Sequence, residues 1–235
     1  EKAFKYYKIS AYLEDIESMI QIGKMLYNGK LRMDLKQGIQ YLKKASSYVN
    51  DQGLYEYGKA LMIKVLNGNQ NKIKKVIELY LKSIKKGNSN ASFSYANILL
   101  INNITNFLDN SVTFDEAIKY FKISAQQNND FSKFCYELLT NEINIFSIFQ
   151  YGIYLLTMTI KNHEYTIDCL FYYKMLKKGL NQQNYSLFLS SLFKNSYFKK
   201  LKSDESLYLK YMIQAFDNEI YVPYYEDKSE LPIIK

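Results

Sequence analysis

Tryptophan is absent from this chain of 235 residues, histidine occurs once, at His163, and arginine once, at Arg32. A lone histidine beside Asn162 and Glu164, with no cysteine or second histidine at ligand spacing, argues against a histidine metal site and reads as a surface residue. Cys135 and Cys169 are too few for a secreted disulfide framework and have no CxxC spacing. Both are expected to be small buried apolar residues, with pairing in an oxidising compartment as the alternative. The only prolines are Pro223 and Pro232, so no residue before position 223 must interrupt a helix. Gly-rich phosphate loops, nucleophile elbows and paired-histidine helix motifs are all missing. The acidic pairs Asp15/Glu17, Asp115/Glu116 and Asp204/Glu205 fall at expected helix starts, where carboxylates complement the helix dipole. This inventory argues against an enzyme and implies no cofactor and no metal.

Long apolar runs are nearly absent as well. The charge-free stretch 143–160 contains Asn144, Ser147, Gln150, Gly152, Thr157 and Thr159. It is expected to be a buried helix rather than a membrane span, leaving only an indirect link to membranes through a partner or another segment. No N-terminal signal pattern is present and Glu1 is not a start methionine, so the chain is expected to be a fragment or processed form. A cytoplasmic location is expected, with endoplasmic-reticulum association as the alternative.

What the chain has is apolar mass and lysine. Hydrophobic residues make up 48% of it, enough to build a core without disulfides or metals. The net charge of +8 comes from 31 basic and 23 acidic residues. Forked contacts to guanine and phosphate favour arginine, so an excess made almost wholly of lysine argues against a nucleic-acid reader. Leucine, isoleucine and lysine at helical spacing, with no early proline, predict an all-α chain.

Ala3-Phe-Lys-Tyr-Tyr-Lys-Ile-Ser-Ala11 returns as Ala117-Ile-Lys-Tyr-Phe-Lys-Ile-Ser-Ala125, 114 positions later, which is three periods of 38. A period of that length means one helix pair per repeat, each pair burying the apolar face of the next. One signature is an apolar or aromatic residue, a small one, two variable positions and leucine: Ile22-Gly23…Leu26, Tyr57-Gly58…Leu61 and Tyr95-Ala96…Leu99. The small residues Gly23, Gly58 and Ala96 are expected to let a second backbone approach the first helix of each pair. The second signature begins on a small or short residue at Ala3, Gly38, Val76 and Ala117 and continues to an aromatic or leucine three positions on. These are the second helices, and Tyr7, Tyr41, Tyr80, Tyr120, Tyr172 and Tyr173 on them are expected core residues. Asn28-Gly29, Asn67-Gly68-Asn69 and Gly87-Asn88 read as helix-closing turns, and Asp34 and Asp115 as N-caps. Residues 101–113 are expected to form an exposed connection.

These residues resemble the Sel1-like repeats, relatives of the tetratricopeptide repeats. Ile22-Gly23…Leu26…Gly29, Asp34, Gly38…Tyr41…Lys44-Ala45-Ser46 carries the resemblance best, departing from the family pattern in its leading residue and in Gly38 for Ala. The resemblance covers 1–129 clearly. An extra or degenerate helix is expected at 130–144, further degenerate helical repeats at 145–218, divided near 180, and an extended tail at 219–235. In the middle region an alternative pairing, in which 131–140 is a first helix and 143–160 its partner, stays open. The resemblance implies an α-solenoid of antiparallel helix pairs and a non-enzymatic scaffold or adaptor that binds other proteins. It also implies membership of a larger complex, for which an endoplasmic-reticulum ubiquitin-ligase assembly is one family setting. A nucleic-acid- or ribosome-associated basic repeat protein is the alternative.

Polar residues recur two places before and one after the small residue of three first helices: Gln21 and Lys24, Glu56 and Lys59, Ser94 and Asn97. This shared register predicts a common exposed face, the candidate partner-binding surface. The packing positions are Gly23, Gly58, Ala96, Ala3, Gly38 and Ala117.

Overall fold

The computed structural model describes residues 2–27, 34–105, 114–141, 145–162 and 165–180, with the single positions 108, 183, 190 and 212 and the short run 185–188. The Asn28-Gly29 turn, Arg32, His163, most of the repeat expected at 184–218 and the tail from 219 lie outside the described residues. Every regular element described is helical. The helices are α1 (Lys2–Tyr12), α2 (Ile16–Tyr27), α3 (Leu35–Ser47), α4 (Asp51–Leu66), α5 (Ile73–Ile84), α6 (Ser89–Thr105), α7 (Phe114–Gln126), α8 (Asp130–Asn141), α9 (Ile145–Asn162) and α10 (Thr166–Gly179), with a 3₁₀ turn at Gln70–Lys72. They belong to two compact units that divide between Asn88 and Ser89.

One turn, repeated four times, explains how α1, α3, α5 and α7 each pass to the following helix. Counting eleven residues on from Ala3, Gly38, Val76 and Ala117 gives Glu14, Val49, Gly87 and Asn128, with φ of 66°, 56°, 90° and 64°. Each is a left-handed residue that ends a helix. Three of the turns close with a six-to-one bond: the backbone N–H of Asp15 donates to Ser10 O at 3.1 Å, that of Asn88 to Ser83 O at 3.3 Å and that of Asn129 to Ser124 O at 3.2 Å. The next residue, Asp15, Asn50, Asn88 or Asn129, opens the following helix. Asp15 Oδ2 accepts from Ser18 N at 2.8 Å, Asn50 Oδ1 from Gly53 N at 2.8 Å and Asn129 Oδ1 from Ser132 N at 2.9 Å. Each such cap contributes about 1 kcal/mol.

Within the first unit α1 packs on α2, α2 on α3, α3 on α4 and α4 on α5, while α2 also meets α4. Successive helix pairs thus lie side by side, as in an α-solenoid. Asp34 caps α3 as its sequence predicts, accepting from Gln37 N at 2.8 Å. Its core includes Met19, Ile20, Ile22 and Leu26 of α2, Leu42 of α3, Leu61 and Met62 of α4 and Val76 and Tyr80 of α5.

The second unit begins in the same manner, with α6 on α7 and α7 on α8, and then departs from it. α9 and α10 interlock, and α10 packs directly against α6. Asn97 of α6 joins this contact, its Nδ2 donating to Asp168 O at 3.1 Å while its Oδ1 accepts from Tyr151 Oη at 2.8 Å. At the far end of α10, Gly179 leaves room for Thr105. Two expectations are corrected here. Asp115 lies in the first turn of α7 rather than capping it, because the helix starts at Phe114. Residues 101–105 are not an exposed connection: α6 continues through them with Ile101 and Asn102 buried, and Asn102 Oδ1 accepts from Leu108 N at 2.8 Å. No helix among the described residues is long and apolar enough to cross a membrane.

Candidate interaction surface

The polar register expected to be exposed is in fact mostly buried. Glu56 is 2% exposed, Lys59 7%, and Ser94 and Asn97 0%, whereas Gln21 and Lys24 keep partial exposure. The cause is visible between α2 and α4. Glu56 stands where neighbouring first helices meet, and its Oε2 accepts from Tyr27 Oη at 2.5 Å while Oε1 accepts from Gln52 Nε2 at 2.9 Å. Lys24 Nζ lies 3.6 Å from the same carboxylate. Lys59 Nζ stands over the Tyr55 ring, 5.2 Å from its centroid. Burial, reinforced by the Glu56 charge, raises the Tyr27 hydroxyl well above the ordinary tyrosine value. In the second unit Asn97 plays the corresponding part, linking α6 to α9 and α10. A repeating polar residue on facing helices can satisfy its neighbour as readily as it can meet water, and here Glu56 and Asn97 do the former. Of the six candidates, Gln21 and Lys24 alone combine polar character with access to solvent.

The packing positions depart from expectation only in part. A methyl group on Gly23 would strike the Leu42 side chain, and one on Gly58 the Tyr80 ring. Gly152 stands in the same relation to Tyr172, whose Cε1 would lie 2.6 Å from an added Cβ. Each of these glycines is therefore a socket for a large side chain of the second helix, and at Gly23 the second backbone comes close as well. Leu42 and Tyr80 sit four residues after Gly38 and Val76, not three, and with Phe121 they are the fully buried residues of that helix turn. Tyr7, Tyr41 and Tyr120 are only partly buried. Gly38 does make a close backbone approach, since an added Cβ would lie 3.1 Å from Gly23 O. Ala96 and Ala117 are 0% exposed, but Ala3 is exposed.

A serine seven residues after the start of the second signature forms a further link that the sequence reading missed. Ser83 Oγ donates to Asp51 O at 2.7 Å and Ser124 Oγ to Ser89 O at 2.7 Å. In both cases the acceptor is the first residue of the paired first helix. The signal was available, because Ser10 and Ser124 share a place in the nine-residue match.

Among the described residues, exposed large apolar side chains concentrate in the first unit: Tyr6, Ile9, Tyr12 and Leu13 on and after α1, and Tyr48 and Val49 in the turn after α3. The two turns adjoin, for Lys44 Nζ bonds Glu14 Oε1 at 3.0 Å and Tyr48 also hydrogen-bonds that carboxylate, holding it below its ordinary pKa. Tyr12, Leu13, Tyr48 and Val49 thus border one edge of the unit.

No protein-family model and no curated protein matches the chain. Among solved structures it is similar to a Sel1 repeat protein from Oxalobacter formigenes, at 16% identity and a TM-score of 0.44, over 82% of this chain and 78% of that one. It is also similar to a protective antigen of uropathogenic Escherichia coli with an SLR fold, at 14% identity and a TM-score of 0.49, over 91% of this chain and 55% of that one.

Proposed function

We propose that this chain is a non-enzymatic scaffold that binds other proteins, acting as an adaptor within a larger assembly. The observation that carries the reading is the group of exposed apolar residues Tyr6, Ile9, Tyr12, Leu13, Tyr48 and Val49 in one compact unit. Contiguous apolar surface is costly to leave in water, and where a folded protein retains it a partner commonly covers it. Tyrosine suits such a surface, because it adds contact area with little loss of side-chain freedom and keeps a hydroxyl for hydrogen bonding. The partly exposed Gln21 and Lys24 are proposed as further polar contacts.

Affinity purification from native extracts tests this reading with wild type and a Tyr12→Ser/Tyr48→Ser double variant. Both residues are exposed, so the variant should keep its helical circular dichroism. The expected result is a defined set of proteins retained by wild type and depleted in the variant. Equal recovery of the same proteins by both would remove this surface as the site of binding.

A further inference from the structure

The net positive charge of this chain is confined to its first part. Of the 31 basic and 23 acidic residues, 17 and 8 lie in residues 1–88, a net +9, and 14 and 15 in residues 89–235, a net −1. A compositional bias toward lysine would act on both parts alike, so it does not explain the division. Two helices of the first unit display it. α3 buries Gly38, Leu42 and Ala45, and on its opposite side Lys36, Gln40, Lys43 and Ser47 form an exposed stripe at i, i+4, i+7 and i+11, with no acidic residue in the helix. α5 buries Val76, Tyr80 and Ser83, while Lys74, Lys75 and Lys82, with Lys85 and Lys86 just beyond its end, are exposed. Glu78 is the only acidic residue between Glu56 and Asp109, and Lys75 and Lys82 share it at 2.8 and 2.7 Å. Leu42 and Tyr80, at equal register, enter the Gly23 and Gly58 sockets, so α3 and α5 turn the same side inward and their lysines occupy one outer wall. The fold does not demand lysine there. In α7 the register of Lys36 and Gln37, or of Lys74 and Lys75, holds Asp115 and Glu116, whose charges cancel against Lys119 and Lys122.

We propose that this lysine wall of α3 and α5 is a docking surface for an acidic segment of a partner protein. The proposal rests on the reading of the chain as a protein-binding scaffold and names the partner's chemistry. Charge complementarity selects a polyanion, and the side chains between the lysines select among polyanions. No exposed residue of α3 or α5 is aromatic or apolar, so the wall offers neither rings on which bases could stack nor side chains that could enter a bilayer. Its cations are ammonium groups on flexible stems, without the guanidinium fork that suits phosphate and guanine. Carboxylates on a pliant chain need no such fork and can follow lysines that recur every one to two turns. The α3 stripe ends at Ser47, next to Tyr48 and Val49, so an acidic segment on the wall continues into the apolar edge that the scaffold reading assigns to partners.

The test uses the full chain and a fluorescein-labelled peptide of repeated Glu-Asp-Ser, with repeated Gln-Asn-Ser as the uncharged probe. Anisotropy should show binding of the acidic peptide alone, weakening at least about tenfold between about 0.05 and about 0.3 M salt. Lys36→Glu/Lys43→Glu and Lys74→Glu/Lys85→Glu should each weaken it at least about tenfold. Lys119→Glu/Lys122→Glu, the same charge change on the outer side of α7, should leave it within about twofold. All six lysines are exposed, so unchanged circular dichroism separates lost docking from lost folding. No binding of the acidic peptide, or equal losses in all three variants, overturns the proposal. So does sedimentation with phosphatidylserine vesicles, or retention of single-stranded RNA, that the α3 and α5 variants abolish while the peptide binds more weakly than that polyanion. Such a result assigns the wall to a membrane or to nucleic acid. Failure of the peptide while native partners still depend on Tyr12 and Tyr48 would sink this docking surface alone and leave the scaffold reading standing.

Discussion

Replacing Gly58 by leucine probes the socket that joins α4 to α5. The Cβ alone would collide with Tyr80 before the rest of the side chain is placed. Tyr80 is 1% exposed and its ring packs 5.8 Å from that of Tyr55, so it has little freedom to withdraw. Overpacking of this kind costs about 1–3 kcal/mol, and the upper end applies because the obstacle is a rigid ring. Leucine's better helix propensity returns about 0.8 kcal/mol. The net loss is therefore about 2 kcal/mol. Asn69→Leu is the control: Asn69 is exposed, caps nothing with its side chain and has φ −84°, so the change should cost less than about 0.5 kcal/mol. For a chain of this size 1 kcal/mol moves the midpoint by about 2–4 °C, so Gly58→Leu should melt about 4–8 °C below wild type. With no tryptophan to report, far-UV circular dichroism in heat and urea follows the transition. A size exchange sharpens the test, since Tyr80→Ala alone should cost about 3–5 kcal/mol, and the double variant should fall short of the sum by at least about 1 kcal/mol as leucine refills the space. Additive losses, or equal melting of Gly58→Leu and Asn69→Leu, would refute the socket.

Val49 is a β-branched residue at φ 56°, 54% exposed, in the position that Gly87 and Asn128 fill in other repeats. Val49→Asn should therefore stabilise the first unit by about 1 kcal/mol in urea denaturation, and a destabilised variant would show that Val49 contributes packing rather than strain. Burial raises the hydroxyls of Tyr27, Tyr151, Tyr172 and Tyr173 well above their ordinary value near 10. The unfolded chain releases those protons first, so their contribution is intact below about pH 10 and declines as pH rises further. In an alkaline absorbance titration these four should stay silent until the helices melt. Cys135 and Cys169 are free and buried, and burial pushes both thiols up. A disulfide reagent should label neither in native buffer and both in denaturant. Glu78 is drawn down to about 2 by hydrogen bonds from Lys75 and Lys82, so Lys75→Ala should raise its midpoint toward about 4.3 in a carboxyl NMR titration.

The helix pairs were legible because their signal is periodic and redundant. Small residues at Gly23, Gly58 and Ala96, and the nine-residue match, recur at intervals that only a repeat explains. The turn was half legible. Gly87 and Asn128 announce a left-handed residue, but Glu14 and Val49 occupy the same place with side chains that give no such warning. Only alignment on Ala3, Gly38, Val76 and Ala117 brings the four together, with Asp15, Asn50, Asn88 and Asn129 beside them. The second unit was less readable because α10 packs on α6, a helix about 70 residues earlier, as the Asn97–Asp168 bond records with a separation of 71. Local periodicity carries no information about such a contact.

The polar register failed as a marker of exposure for a more general reason. Identical register in successive repeats says that residues face the same direction, and in a stack the direction along the array leads to another helix, not to water. Glu56 accepts hydrogen bonds from both Tyr27 and Gln52 because the neighbouring first helix brings the tyrosine to it, and Asn97 is held by Tyr151 and by the Asp168 carbonyl on helices far along the chain. A single repeat supplies Gln52 but not Tyr27, Tyr151 or the Asp168 carbonyl, so burial of its polar positions is a property of the array. Repeat position therefore tells what a residue is suited to touch. Whether it touches that group, or offers itself to a partner, depends on the neighbour that the array supplies.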